Sequence, residues 1–176
     1  MNKEIKILIK KDKELLPKNK LKRLFYILTN HNAYVIYKSF KYFRKYNYYK
    51  EKNNYVMMVI YGRLKNKIIQ KYNIELPTKI GTGIDIPHRN VVINRDAVIG
   101  NNVKLHGFNV IGNDGKSSKA PVIGNNVDIG VGSIIIGDVY IADNCVIGAN
   151  SLVNKSFYEK GSVIVGSPAK VIKIKK

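Results

Sequence analysis

Cysteine is almost absent. Cys145 stands alone in 176 residues, so no intramolecular disulfide can form, and a reducing compartment is the simplest setting. No run reaches about 18 apolar residues, which excludes a membrane-spanning helix. The apolar stretch within Met1–Lys11 is broken by Lys6 and Lys10 and lacks a small-residue cleavage site, so no secretory signal is read there. Acidic residues are scarce, twelve against thirty-one Lys and Arg, for a net charge of +19. The imbalance is local: residues 1–73 carry nineteen basic and four acidic side chains, a charge of +15, and residues 74–176 carry twelve and eight, a charge of +4. No recognisable nucleic-acid-binding motif accompanies this charge, so nucleic acid is not expected as a partner.

The basic part divides in two. Residues 1–20 are polar, with Pro17 as a breaker, and read as a loosely held basic arm. Over 21–73 apolar residues recur at three- and four-residue intervals (Leu24, Phe25, Leu28; then Val56, Val59, Ile60, Leu64), predicting an amphipathic α-helical region of two or three helices. Tyr and Phe interleaved with Lys and Arg over 40–49 fit a core-facing stripe with a solvated basic back, or a peripheral contact with the inner face of a membrane. His31 is expected in a loop.

From residue 74 the period changes to six. Ile80, Ile86, Ile93, Ile99, Leu105 and Ile111, then Ile123, Ile129, Ile135, Ile141, Ile147 and Val153, mark short strands joined by regular corners, each turning an aliphatic side chain inward. Gly and Asn after the aliphatic positions supply the corners, and three such sides make one coil of a parallel β-solenoid. The pattern has two faults. Seven residues instead of six separate Ile86 from Ile93, a bulge beside His88, and residues 113–121 replace one hexad with a segment expected to protrude as a loop.

His88 follows Ile86 by two residues and His106 follows Leu105 by one. Because three repeat steps separate Ile86 from Leu105, the two imidazoles are expected side by side on neighbouring coils. A zinc site of three histidines would need another ligand close after His106, and the sequence there is Gly107-Phe108-Asn109-Val110, so no metal is expected. Gly115-Lys116-Ser117 lacks the earlier glycine of a phosphate-binding loop, where Val110 stands, and no nucleophile elbow supports Ser/His/Asp catalysis.

The hexads, the stretch Ile84-Asp85-Ile86-Pro87-His88 with Val91-Val92-Ile93-Asn94, the loop with Gly115-Lys116-Ser117, and the closing Gly166-Ser167-Pro168-Ala169-Lys170 together resemble the hexapeptide-repeat acyltransferases over about 74–174. The serine-acetyltransferase-like branch is the most similar, many of whose members act on cell-surface saccharides. The resemblance implies a mostly β fold, a left-handed parallel β-helix of about five coils after a small α-helical region, with 74–176 as the acyltransferase domain. It implies transfer of acetyl from acetyl-CoA in a cytoplasmic homotrimer whose sites lie between subunits. His88 corresponds to the family's catalytic base, with His106 as a second catalytic candidate. Asp85 and Asn109 are candidates for binding the acceptor. Gly112, Lys116, Gly132, Ser133, Gly148, Ala149, Lys155 and Lys170 are candidates for holding coenzyme A. Serine acetyltransferases carry an aspartate where this chain has Pro87 and a histidine where it has Ala120. Both departures remove polar groups associated with serine, so the expected acceptor is a surface saccharide, with serine or a non-catalytic scaffold as the alternatives.

Overall fold

In a computed structural model, which describes residues 2–116 and 118–175, the hexads close into a three-sided coil. One side stacks β1 (Lys79–Ile80), β3 (Val98–Ile99), β6 (Val122–Ile123) and β9 (Tyr140–Ile141). The second stacks β4 (Lys104–Leu105), β7 (Asp128–Ile129), β10 (Val146–Ile147) and β12 (Ser162–Gly166), closed by β13 (Ala169–Ile174). The third stacks β2 (Val92–Ile93), β5 (Val110–Gly112), β8 (Ile134–Ile136) and β11 (Leu152–Val153). Every pairing among these strands is parallel except that of β12 with β13.

The register explains the six-residue period. Leu105 lies over Ile129, Ile129 over Ile147 and Ile147 over Ile164, so each column of aliphatics is continuous through the prism. These side chains are almost wholly buried. Each contributes about 1.5–3 kcal/mol of hydrophobic stabilisation. The extra residue before Ile93 lies between Ile86 and Arg89, where Pro87 and His88 stand against the single His106: Asp85 pairs with Lys104, Phe108 N donates to Arg89 O, and Val92 is again in register with Val110. Val91 and Ile93 both point inward with Val92 outward between them, the ordinary alternation of a strand.

Asparagine holds the corners. Asn102, Asn126 and Asn144 adopt left-handed φ of 55°, 55° and 62°. Asn102 Nδ2 donates to Asn126 Oδ1 at 3.0 Å, and Asn126 Nδ2 to Asn144 Oδ1 at 3.1 Å. A short polar side chain is therefore required twice over, for the backbone angle and for the amide ladder. Cys145 is buried in a neighbouring column, and burial pushes its thiol pKa up.

The chain divides into two units, Met1–Tyr72 and Asn73–Lys176. The first contains α1 (Lys3–Asp12), a 3₁₀ turn (Lys13–Leu15), α2 (Lys20–Leu28), α3 (Asn32–Glu51) and α4 (Tyr55–Tyr72). Val35, Ile36, Phe40 and Phe43 of α3 form its core. The loosely held arm expected at 1–20 is corrected here. Asn2 accepts from Ile5 N to cap α1, and Asp12 at its end forms a buried ion pair with Arg44 of α3. The arm read as loose because its anchor lies thirty-two residues away in sequence. His31, expected in a loop, caps α3 by accepting from Ala33 N and stacks on Tyr26. Among the described residues no helix is long and apolar enough to cross a membrane.

Candidate active site

An open pocket of about 390 Å³ on the β-helix is lined by His88, His106, Gly130, Val131 and Ala149. Its two histidines meet because Asp85 bridges to Lys104, which sets Ile86 over Leu105 and brings His88 beside Gly107. His88 is exposed, and its ring makes no hydrogen bond to another described residue. His106 is one-third exposed, and its Nε2 lies 2.8 Å from Asp128 Oδ1 on the next coil. The period-six pattern thus delivers the expected juxtaposition. Asp128 was not anticipated from the sequence, since the loop at 113–121 stretches the spacing between their coils to twenty-four residues.

Gly107 has φ 102° and packs directly on His88. Phe108 follows with φ 55° and a side chain 60% exposed, in the corner column that holds Asn90, Gly132 and Asn150 on the other coils. Its N–H donates to Arg89 O at 3.1 Å.

The other candidates separate into those that face solvent and those built into the coil. Asn109 is completely buried, accepting from Gly107 N at 2.9 Å and donating to Gly130 O at 2.7 Å. It therefore braces the corner beneath the pocket and does not present its amide to an acceptor. Ser133 is likewise buried, its hydroxyl donating to Gly130 O and Gly148 O. The N–H groups of Gly132, Ser133 and Gly148 donate to Gly107 O, Gly130 O and Ile164 O. They are committed to coil closure, and of the residues expected to hold coenzyme A it is Ala149 that lines the pocket. Asp85 is half-buried on the outer surface beside Lys104. Gly112 is half-exposed at the end of β5, and an added Cβ there would meet nothing.

Lys116 is exposed in the loop at 113–121, where its N–H donates to Asp114 Oδ1. The loop is tied down by Lys119 Nζ, 2.6 Å from Asp138 Oδ2, a hydrogen bond that raises the lysine pKa. Lys155 Nζ lies over the Phe157 ring at 5.6 Å, and Lys170 is exposed on β13 opposite Val165. Among the described residues no group of three His, Cys, Asp or Glu is placed to hold a metal ion.

Residues 120–155 match the family model "Bacterial transferase hexapeptide (six repeats)". The chain is 34% identical over 114 residues to "Serine acetyltransferase 3, mitochondrial" of Arabidopsis thaliana, an alignment covering 62% of this chain and 29% of that protein. It is 36% identical over 109 residues to a serine acetyltransferase of Helicobacter pylori, covering 60% and 63%. The chain thus spans less than two thirds of the length of these relatives. Among solved structures, the soybean serine acetyltransferase apoenzyme superposes with a TM-score of 0.75 at 21% identity, covering 97% of this chain and 70% of that one. Serine acetyltransferase of Neisseria gonorrhoeae in complex with serine gives 0.73 at 21%, covering 98% and 70%. These matches overturn the expectation of a surface-saccharide acceptor. That expectation rested on Pro87 and Ala120 as lost polar groups, whereas the relatives matched over the solenoid are serine acetyltransferases. Residues 120–155 thus match the hexapeptide repeat of that family model, and the chain shares with these structures the fold of a left-handed parallel β-helix after a helical region.

Proposed function

We propose that the protein is a serine O-acetyltransferase that takes its acetyl group from acetyl-CoA. What supports this reading is an imidazole, His88, standing open to solvent in the pocket, which the family resemblance takes as the base, together with relatives that are serine acetyltransferases. The neutral imidazole takes the proton of the serine hydroxyl as its oxygen bonds to the acetyl carbonyl carbon. The tetrahedral intermediate then collapses, the carbon–sulfur bond breaks, and the imidazolium returns its proton to the departing thiolate. The products are O-acetylserine and coenzyme A. Histidine suits this cycle because its unperturbed pKa of about 6.5 leaves it largely neutral yet basic near pH 7.

Coenzyme A is placed along the later coils, with Ala149 against the pantetheine and the exposed cations Lys116 and Lys170 near its phosphates. The working form is a cytoplasmic homotrimer with sites between subunits. Contact with an anionic membrane surface would be made by α2, where Leu21, Leu24, Phe25 and Leu28 form one exposed stripe beside Lys20, Lys22 and Arg23.

The test is purified protein with acetyl-CoA and serine, read as thiol release. Wild type is expected to release thiol only when serine is present. The His88→Ala variant is expected to keep its thermal transition and lose about 10²–10⁴-fold in turnover. Serine-independent release, or undiminished turnover in the variant, would overturn the reading.

A further inference from the structure

We infer that Asp128 is a positioning residue of this site, holding His106 as a fixed hydrogen-bond acceptor for the ammonium group of the acceptor. The inference rests on serine as that acceptor and deepens it. An ionised carboxylate only accepts hydrogen bonds, so the 2.8 Å contact between His106 Nε2 and Asp128 Oδ1 places the imidazole proton on Nε2. In a neutral ring, Nδ1 then carries a bare lone pair. The pocket therefore holds two imidazoles of different kinds. The ring of His88 makes no hydrogen bond to another described residue, whereas His106 is fixed in tautomer and orientation.

The electrostatics favour a cation at His106. The rest of the pocket lining, Gly130, Val131 and Ala149, is uncharged. Asp128 behind His106 gives the pair a net charge of one negative unit when the ring is neutral. Lys104, in register with Asp128 on β4, makes no ion pair with it among the described residues. Both members of the pair are part-exposed, so neither is needed to fill the core. The arrangement also accounts for a chain that reads serine with Pro87 and Ala120 where the family has polar groups. Its polar contact to the acceptor comes from β4 and β7 instead.

The test combines a spectroscopic and a kinetic reading of the full chain. Long-range ¹H–¹⁵N correlation spectra near pH 7.5 are expected to show His106 as the Nε2–H tautomer in wild type, and a mixed or reversed tautomer in Asp128→Asn. In thiol-release assays Asp128→Asn is expected to raise the KM for serine about tenfold or more, the effect of one hydrogen bond to a charged group, while kcat changes little. Asp128→Glu restores part of the loss. With 3-hydroxypropionate, which keeps the hydroxyl and carboxylate and lacks the amine, wild type and Asp128→Asn should perform alike. Circular dichroism checks that the variants are folded. An Nδ1–H tautomer in wild type overturns the inference whatever the activity. So does an equal loss on serine and 3-hydroxypropionate, or a loss confined to kcat. A wild type with the expected tautomer but no serine-dependent thiol release overturns the serine reading itself, and the ammonium assignment with it.

Discussion

A Cβ built on Gly107 would come within 2.6 Å of the Cβ of His88 on the neighbouring coil. The absence of a side chain at Gly107 is what lets His88 sit where it does, and the glycine also holds φ 102°, a conformation L side chains rarely adopt. Gly107→Ala is therefore expected to displace His88 and to strain the corner. Strain of this kind costs about 1–3 kcal/mol. Misplacing a reacting group by about 1 Å can cost about 10²-fold in rate. Thermal unfolding and thiol-release kinetics of the variant check both effects. Wild-type kinetics in a destabilised variant would show that this packing does not position His88.

Phe108, the next residue, is expected to behave in the opposite way. It occupies a left-handed corner conformation with its ring 60% exposed, where the stacked coils place Asn90, Gly132 and Asn150. For a residue with a Cβ this conformation costs about 1–2 kcal/mol, and an exposed ring recovers little of that by burial. Phe108→Gly should therefore stabilise the protein, raising Tm by about 2–4 °C per kcal/mol gained in a chain of this size. A calorimetric scan of the two proteins under identical conditions decides it. A lower Tm in the variant would mean that the ring makes stabilising contacts that outweigh the backbone strain.

The solenoid was legible because its core repeats without exception on the inward face. Ile99, Ile123 and Ile141 fall in one column only if the period is six and the fault at 113–121 is a loop. The neighbourhood of His88 and His106 followed from the same counting. What lay beyond it was everything set by side-chain direction. Asn109, a candidate for binding the acceptor, and Ser133, a candidate for holding coenzyme A, both turn inward and satisfy backbone groups at the corners, a use that composition does not distinguish from binding. Asp128 is one of several outward-facing polar residues, and only the shift of twenty-four residues across the loop puts it against His106. The acceptor was misread for a related reason. The loss of polar groups at Pro87 and Ala120 is visible in the sequence, whereas the contact proposed in their place, a pair on other strands, is not.

Asp143 ends a second ladder of corner hydrogen bonds and should make stability depend on acid pH. Asn125 N donates to its Oδ1 at 2.7 Å, and Lys160 Nζ lies 3.4 Å from Oδ2. The Asn125 hydrogen bond and the lysine hold the carboxyl pKa below its ordinary value of 3.8, with burial opposing. A folded-state pKa depressed in this way favours folding above the unfolded pKa, and that contribution is lost as pH falls through the folded value. Asp143→Asn should therefore be less stable than wild type near pH 6, the gap should begin to close below about pH 4, and the two should converge only once pH falls beneath the depressed folded-state value. Tm measured from pH 6 down to pH 2.5 tests this. A constant gap across that range would show that the carboxylate's charge contributes nothing.

The ion pair between Asp12 and Arg44 is the anchor of α1, and its burial makes it vulnerable in one direction only. The side chains are 1% and 6% exposed. Arg44 donates through both Nε and Nη2 to the two carboxylate oxygens. Removing one partner of such a pair leaves an uncompensated charge in the interior and costs about 3–5 kcal/mol, whereas replacing both by apolar residues of similar volume is often neutral. Arg44→Met is thus expected to lower the midpoint of urea unfolding strongly, and Asp12→Leu combined with Arg44→Met to restore most of it. Because the pair joins α1 to α3, the single variant should also expose the segment around residues 3–12 to limited proteolysis before the rest of the chain unfolds. A single variant as stable as wild type would mean that α1 is held by its apolar face alone, with Asp12 reaching solvent once Arg44 is gone.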